Sequence, residues 1–353
     1  MRRILIVLLL AVLLAGGALA EEPLIETSEM TQELPSEVQS ALSDVSPTDT
    51  VNFWGKCREM LQSTLKQSGA AWREALRLCG VVLAVVLLCA LAGQAQYNAA
   101  VCAVGALGLC AAATGSFRTM LTLAADTVQT VTDYNGCLLP VMASAAAMSG
   151  GLTAASALYT GTMVFAELLM QLISKFLVPG VWFYLAIAGA EAALGSDTLS
   201  ELREFAGWLI SKSLKVVLTV FTVYMSLTGV VSGSSDALAV KATQAAAGMV
   251  PVVGGILSDA SESLLVSAKL LKHSAGVFGM LAVLAVCLAP LLRTGVQYLL
   301  LKLTAAAAGT VGLKPHVKLV KSFSTAMGYL LAMNGACALM SVISVVCFLR
   351  VAA

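Results

Sequence analysis

The sequence predicts an all-α polytopic membrane protein of about eight transmembrane helices, arranged as an inverted repeat. Three observations lead there. Of its 353 residues, 59% are hydrophobic and 12% charged, against roughly 45–50% and 25% in a soluble domain. Aromatic residues make up only 6%, while alanine and glycine abound, as in helices that pack closely within lipid. Finally, Pro140 and Pro179 recur at the same spacing as Pro251 and Pro290, with similar apolar flanks: Leu139-Pro140-Val141-Met142 against Val250-Pro251-Val252-Val253, and Leu177-Val178-Pro179 against Leu288-Ala289-Pro290.

Residues 1–20 read as a secretory signal peptide. Met1-Arg2-Arg3 is the basic head, Ile4 to Ala15 the apolar core, and Ala18-Leu19-Ala20 the small-residue cleavage site. The core is shorter than the roughly 20 residues of a span. Cleavage would leave the mature N-terminus extracytoplasmic; an uncleaved anchor is the alternative. Residues 21–52 carry eight carboxylates from Glu21 to Asp49 and no lysine or arginine. With Pro23, Pro35 and Pro47 they form an acidic extracytoplasmic linker. Residues 53–77 read as an amphipathic surface helix. Phe53, Cys57, Met60, Leu61, Leu65, Trp72 and Leu76 recur near helical spacing, and basic residues fill the other faces. A soluble, partner-facing helix fits the same pattern.

Eight apolar segments follow, near 76–93, 97–115, 152–177, 179–195, 209–231, 268–289, 291–312 and 326–349. They group into a two-helix membrane hairpin at 78–116, a first repeat at 134–232 and a second at 245–350. Two shorter pieces, 138–149 and 249–257, begin at the repeated prolines and are too short to cross, so they read as re-entrant or broken helices. Pro179-Gly180 and Pro290 interrupt their blocks as either tight hairpins or kinks, and length favours the hairpin. Each repeat then has three spans and one re-entrant segment. An odd number of crossings inverts the second unit. The loop with Asp197, Glu201, Arg203 and Glu204 falls outside, and the loop with Lys314, His316, Lys318 and Lys321 falls inside, as the positive-inside rule asks. Arg73 and Arg77, on the outer side, run against that rule.

An ionisable group within a span is costly and marks a candidate functional position. Glu167 is the candidate intramembrane polar residue, read equally as part of a proton or ion path or as a protonated or hydrogen-bonded carboxylate. Glu191 and Lys302 lie nearer helix ends, where snorkelling accounts for them. Arg118, Asp126 and Asp133 fall in the connection before Pro140, in contact with water. Pro140, Pro179, Pro251, Pro290, Gly254 and Gly255 are candidate pore or hinge positions, with plain helix packing as the competing reading of the glycines. The nine cysteines lack the close pairs of a zinc or redox site. Only two histidines are present, His273 and His316. No P-loop, dinucleotide fingerprint or paired His-Glu motif occurs, so no catalytic residue, metal or cofactor is expected. The net charge of +1 implies no nucleic-acid partner.

The chain resembles the stage III sporulation protein AE family from residue 50 to the end of the sequence. The likeness is carried by the signal peptide and acidic linker, by Leu138-Leu139-Pro140-Val141, and by Val250-Pro251-Val252-Val253-Gly254-Gly255-Ile256-Leu257-Ser258-Asp259-Ala260. Phe176-Leu177-Val178-Pro179-Gly180 and Gly295-Val296-Gln297-Tyr298-Leu299 add to it. The resemblance implies a non-enzymatic, multi-pass component of a channel or secretion complex in the mother-cell membrane facing the forespore, needed for forespore development. Implied partners are the other membrane proteins of that sporulation complex, including a secretion-type ATPase and ring-forming proteins, a forespore protein across the intermembrane space, and the lipid bilayer. The alternative is an autonomous secondary transporter for a small solute, which the repeat and proline breaks suit almost as well. The few polar groups within the spans weigh against a substrate site.

Overall fold

The structure, a computed structural model, describes residues 53–67, 69–92, 98–149, 152–247 and 254–350. The signal peptide and acidic linker expected at 1–52, and Pro251, lie outside the described residues. Every described element is helical: α1 (Phe53–Gln67), α2 (Gly69–Ala92), α3 (Asn98–Met148), α4 (Leu152–Leu172), a π-helical turn (Ile173–Leu177), α5 (Val178–Leu194), a 3-10 turn (Asp197–Leu199), α6 (Ser200–Ala247), α7 (Gly254–Val311) and α8 (Lys314–Arg350). Helix satisfies each backbone group within its own segment, which an apolar surrounding demands. Side-chain hydroxyls are satisfied in the same way. Thr114, Thr119, Thr122, Thr130 and Thr222 each donate to the carbonyl four residues earlier.

Among the described residues, six helical segments are long and apolar enough to cross a membrane: Trp72–Ala92, Ala99–Met148, Leu152–Leu194, Asp197–Thr228, Ala275–Val311 and Lys314–Arg350. Contacts along them fix their directions. Gly189 lies against Cys110 and Gly195 against Cys102, so α4–α5 runs antiparallel to α3. Gly276 lies against Met142, and Gln297 Nε2 donates to Ser116 Oγ at 2.5 Å, so α7 also runs antiparallel to α3. Phe117 packs on Phe323 with ring centroids 5.5 Å apart, and Asn135 Nδ2 donates to Ser341 Oγ at 2.9 Å, so α8 runs parallel to α3. Phe165–Phe221 and Gly180–Ile210 contacts make α6 antiparallel to α4–α5. The result is an up-and-down bundle in which consecutive spans alternate. The most buried of the six is α8.

The expected eight spans are not borne out: six such helices are present among the described residues. The hairpin expected at Pro179 does not form. Proline lacks an N–H and its ring clashes with the carbonyl four residues earlier. The π turn at Ile173–Leu177 absorbs that misfit: Val178 N–H reaches back to Ile173 O, and the helix continues through Pro179. Pro290 lies inside α7, which also continues. The 43-residue stretch Leu152–Leu194 is long enough for two spans of ~30 Å each, yet it forms a single rod of about 64 Å. Pro140 likewise sits inside α3, so 138–149 is the last part of a long helix rather than a re-entrant segment.

The expected inversion is not borne out either: two long helices per unit, an even number, leave the two units in the same orientation. The rods bearing Pro179 and Pro290, α4–α5 and α7, point the same way. The acidic and basic loops therefore lie at one end of the bundle, not on opposite faces. At that end Gly195 takes a left-handed φ of 65° to close α5, and Gly312 N–H bonds Ala308 O at 2.7 Å to close α7.

Exposed charges ring the middle of the bundle. Arg118 and Asp126 of α3, Lys175 of the π turn, Lys212 of α6 and Arg293 of α7 are all exposed and lie within about 12 Å of one another along the bundle axis, while exposed Asp133 of α3 and Glu167 of α4 lie about 10 Å farther from the loop-bearing end. Between this ring and the loop-bearing end runs an apolar band of about 28 Å, close to the ~30 Å of a bilayer core. Val104, Leu107, Phe183, Leu299 and Leu303 are exposed on its surface.

Candidate functional site

Three elements meet at the loop-bearing end and build a charge cluster. Glu191, in the last turns of α5, is 4% exposed. Its Oε2 accepts from Arg203 Nε of α6 at 2.7 Å, and its Oε1 lies 2.5 Å from Lys318 Nζ of α8. Lys318 Nζ also donates to Asp197 Oδ1 at 2.7 Å. Arg203 also interacts with the Tyr184 hydroxyl and makes a looser contact with Glu204 at 4.0 Å. Glu191 and Asp197 balance Arg203 and Lys318, and the Glu191–Arg203, Glu191–Lys318 and Asp197–Lys318 pairs each cross between elements. A buried carboxylate held this way fixes geometry, because losing either partner would strand an uncompensated charge. Beside the cluster His316 is fully buried, with Nε2 3.2 Å from Cys102 O. Gly105 permits this approach, since a side chain there would meet the imidazole.

A second feature opens on the flank of the bundle. α6 and α7 diverge over α8, leaving a groove of about 680 Å³. Leu214, Leu218, Ala332, Ala336 and Leu339 line its apolar part. Lys215, Lys302 and Lys321 line it together with Tyr298, Tyr329, Ser324 and Thr325, and no carboxylate does. Lys302 Nζ donates to Tyr298 OH at 3.0 Å and stands 5.3 Å from that ring's centroid. A smaller cavity of about 420 Å³ adjoins it, sharing Ser211, Lys215, Thr325 and Tyr329 and adding Arg203 and Glu204.

The positions singled out from the sequence do not converge on one site. Glu167 is exposed on the outer face of α4, where its Oε1 accepts from Gln171 Nε2 at 2.8 Å. It therefore points away from the bundle interior. Pro140 is exposed on α3, and Gly254 and Gly255 are the first two residues of α7. Pro179 is exposed and Pro290 buried, on parallel rods and level with the Met120–Leu123 turn of α3. Among the described residues no group of three His, Cys, Asp or Glu side chains could hold a metal ion.

The sequence reading missed both the charge cluster and the lysine groove. It treated Glu191 and Lys302 as snorkelling side chains. The usable signal was there: acidic residues around 191–204 and basic residues around 314–321 are what a salt-bridged cluster at one end requires.

The profile of the family described as Stage III sporulation protein AE matches residues 42–352. A relative of that name from Bacillus subtilis (strain 168) is 21% identical over 221 residues. That match spans 62% of this chain and 55% of the relative, so only about half the length of the curated protein is matched. No solved structure matches the chain significantly. With the family profile extending across nearly all of its bundle, the chain belongs to the stage III sporulation protein AE family.

Proposed function

We propose that this chain is a multi-pass membrane component of a sporulation-specific channel or secretion assembly that links mother cell and forespore and sustains forespore development. The observation that carries the reading is the family match over residues 42–352, combined with six helices able to cross a membrane. The buried ion pairs at one end support a rigid scaffolding role. They tie α5, α6 and α8 together rather than presenting free charge to a solute. In this reading the chain sits in the mother-cell membrane facing the forespore. Its partners are the other membrane proteins of the assembly, including a secretion-type ATPase and ring-forming proteins. The chain itself carries out no chemistry.

The test is purification from sporulating cells in mild detergent, followed by identification of bound proteins. Recovery with other sporulation membrane proteins is the expected result. Recovery alone, together with solute uptake by the isolated chain in liposomes, would overturn the proposal in favour of an autonomous transporter.

A further inference from the structure

The outward face of the bundle changes chemistry at the charged ring. On α3 the exposed side chains between the loop-bearing end and the ring are those of Val104, Leu107 and Ala111, whereas beyond it Thr122, Gln129, Asp133 and Ser144 are exposed. The rod α4–α5 changes in the same way, from Phe183, Ala186 and Leu194 to Gln171, Thr160 and Ser156. Lipid suits the first kind of face and water the second, which puts the edge of the hydrocarbon at the ring. On α6 an exposed strip, Val216, Val220, Val223 and Leu227, continues past the ring, with Thr219, Thr222 and Ser226 exposed beside it.

Exposed cations collect at this edge. Val85 meets Gly108 and Val86 meets Gly312, so α2 runs antiparallel to α3, and exposed Arg73 and Arg77 reach the height of Arg118. With Lys175, Lys212 and Arg293 they encircle the bundle. None of the six joins an ion pair among the described residues, where Arg203 and Lys318 are the paired cations. The exposed carboxylates at this height on the same helices are Glu74 and Asp126; Asp133 and Glu167 lie about 10 Å farther out. Exposed aromatic side chains stand among the cations: Trp72 beside Arg73, Phe176 beside Lys175, and Trp208 one turn from Lys212. Such rings settle at the level of lipid headgroups.

We infer that the ring binds the anionic phospholipid headgroups of the leaflet opposite the loops. Phosphates lie among Arg73, Arg77, Arg118, Lys175, Lys212 and Arg293, and acyl chains run toward the loop-bearing end along the apolar band. Cations just outside the hydrocarbon draw acidic lipids to them, and the carboxylates farther out stay clear of the phosphate layer. The far half of the bundle then stands in water. The surface does not depend on the assembly role proposed above: a lone transporter would carry it equally.

The experiment reconstitutes the full chain in phosphatidylcholine vesicles. Electron paramagnetic resonance then compares how spin-labelled phosphatidylglycerol and spin-labelled phosphatidylcholine associate with it. Wild type should favour phosphatidylglycerol roughly threefold or more. Arg118→Gln, Lys175→Gln, Lys212→Gln and Arg293→Gln together should abolish most of that preference with the helical circular dichroism unchanged, and Lys175→Gln with Lys212→Gln alone should give an intermediate loss. In a cysteine-free background, a nitroxide at Leu107→Cys should meet oxygen dissolved in lipid, and one at Ser144→Cys a water-soluble nickel reagent. Equal association of both lipids, or a preference that survives both variants, would overturn the inference. So would a label at position 144 that is immersed in lipid. Loss of the preference in inorganic phosphate, but not in chloride of equal ionic strength, would make the ring a site for soluble anions and overturn it as well.

Discussion

Replacing Glu191 by alanine removes the centre of the charge cluster. Lys318 loses one of two carboxylates and keeps Asp197 at 2.7 Å. Arg203 is the sensitive partner: it is 13% exposed, and its remaining acid, Glu204, is 4.0 Å away and 71% exposed. Stranding one partner of a buried pair costs roughly 3–5 kcal/mol. Because Glu204 offers partial compensation, the lower end applies, about 3 kcal/mol. A double-mutant cycle separates the pair from the packing: Glu191→Gln, Arg203→Gln and both together, each unfolded by denaturant titration in the same detergent. The pair's coupling should be at least about 1.5 kcal/mol, and it should change little with salt, since buried pairs are weakly screened. A coupling below about 0.5 kcal/mol that vanishes in high salt is the behaviour of an exposed pair. That result would refute the reasoning that the cluster locks the end of the bundle.

Other expectations follow from the same contacts. Glu167→Gln should change stability by no more than about 0.5 kcal/mol in the same titration, because Glu167 is exposed and holds only Gln171. Gly161→Leu should destabilise the protein by about 1–3 kcal/mol or more, since a side chain there collides with the Tyr224 ring, whose hydroxyl donates to Ala157 O at 3.0 Å. Asn135→Leu should cost about 1–3 kcal/mol by stranding the buried Ser341 hydroxyl and overfilling the α3–α8 contact. Pro179→Ala should be tolerated, with the π turn at Ile173–Leu177 relaxing toward regular helix, a change readable as altered amide-exchange protection at Lys175–Val178.

The helical character was legible because it rests on composition and on long apolar runs, neither of which depends on tertiary detail. The recurrence of Pro179 as Pro290 was also legible, and both do mark equivalent heights on equivalent rods. What their spacing could not reveal was whether each proline ends a helix. At Pro179 that depends on a one-residue register shift at Ile173–Leu177, a local accommodation that leaves no trace in hydropathy, while α7 runs through Pro290 without one. The orientation of the units follows by parity, since one extra crossing in each unit turns a parallel repeat into an inverted one. Asp197 and Lys318 bond each other at 2.7 Å, so the two oppositely charged loops share one end of the bundle. Glu167 stood out because it interrupts an apolar run, but an interruption in sequence does not say which face of the helix carries it. The lysines of the groove come from three distant segments, 215, 302 and 321, and only the fold brings them to one surface.

The up-and-down arrangement is tested most directly by sidedness. Single cysteines at positions 197 and 318, placed in a cysteine-free background and probed in sealed vesicles of one orientation with a membrane-impermeant maleimide, report which face each loop occupies. Both positions should label from the same side, and the double variant should be joined by a short bifunctional maleimide. Labelling of the two positions from opposite sides would contradict the six-span bundle and restore the inverted repeat.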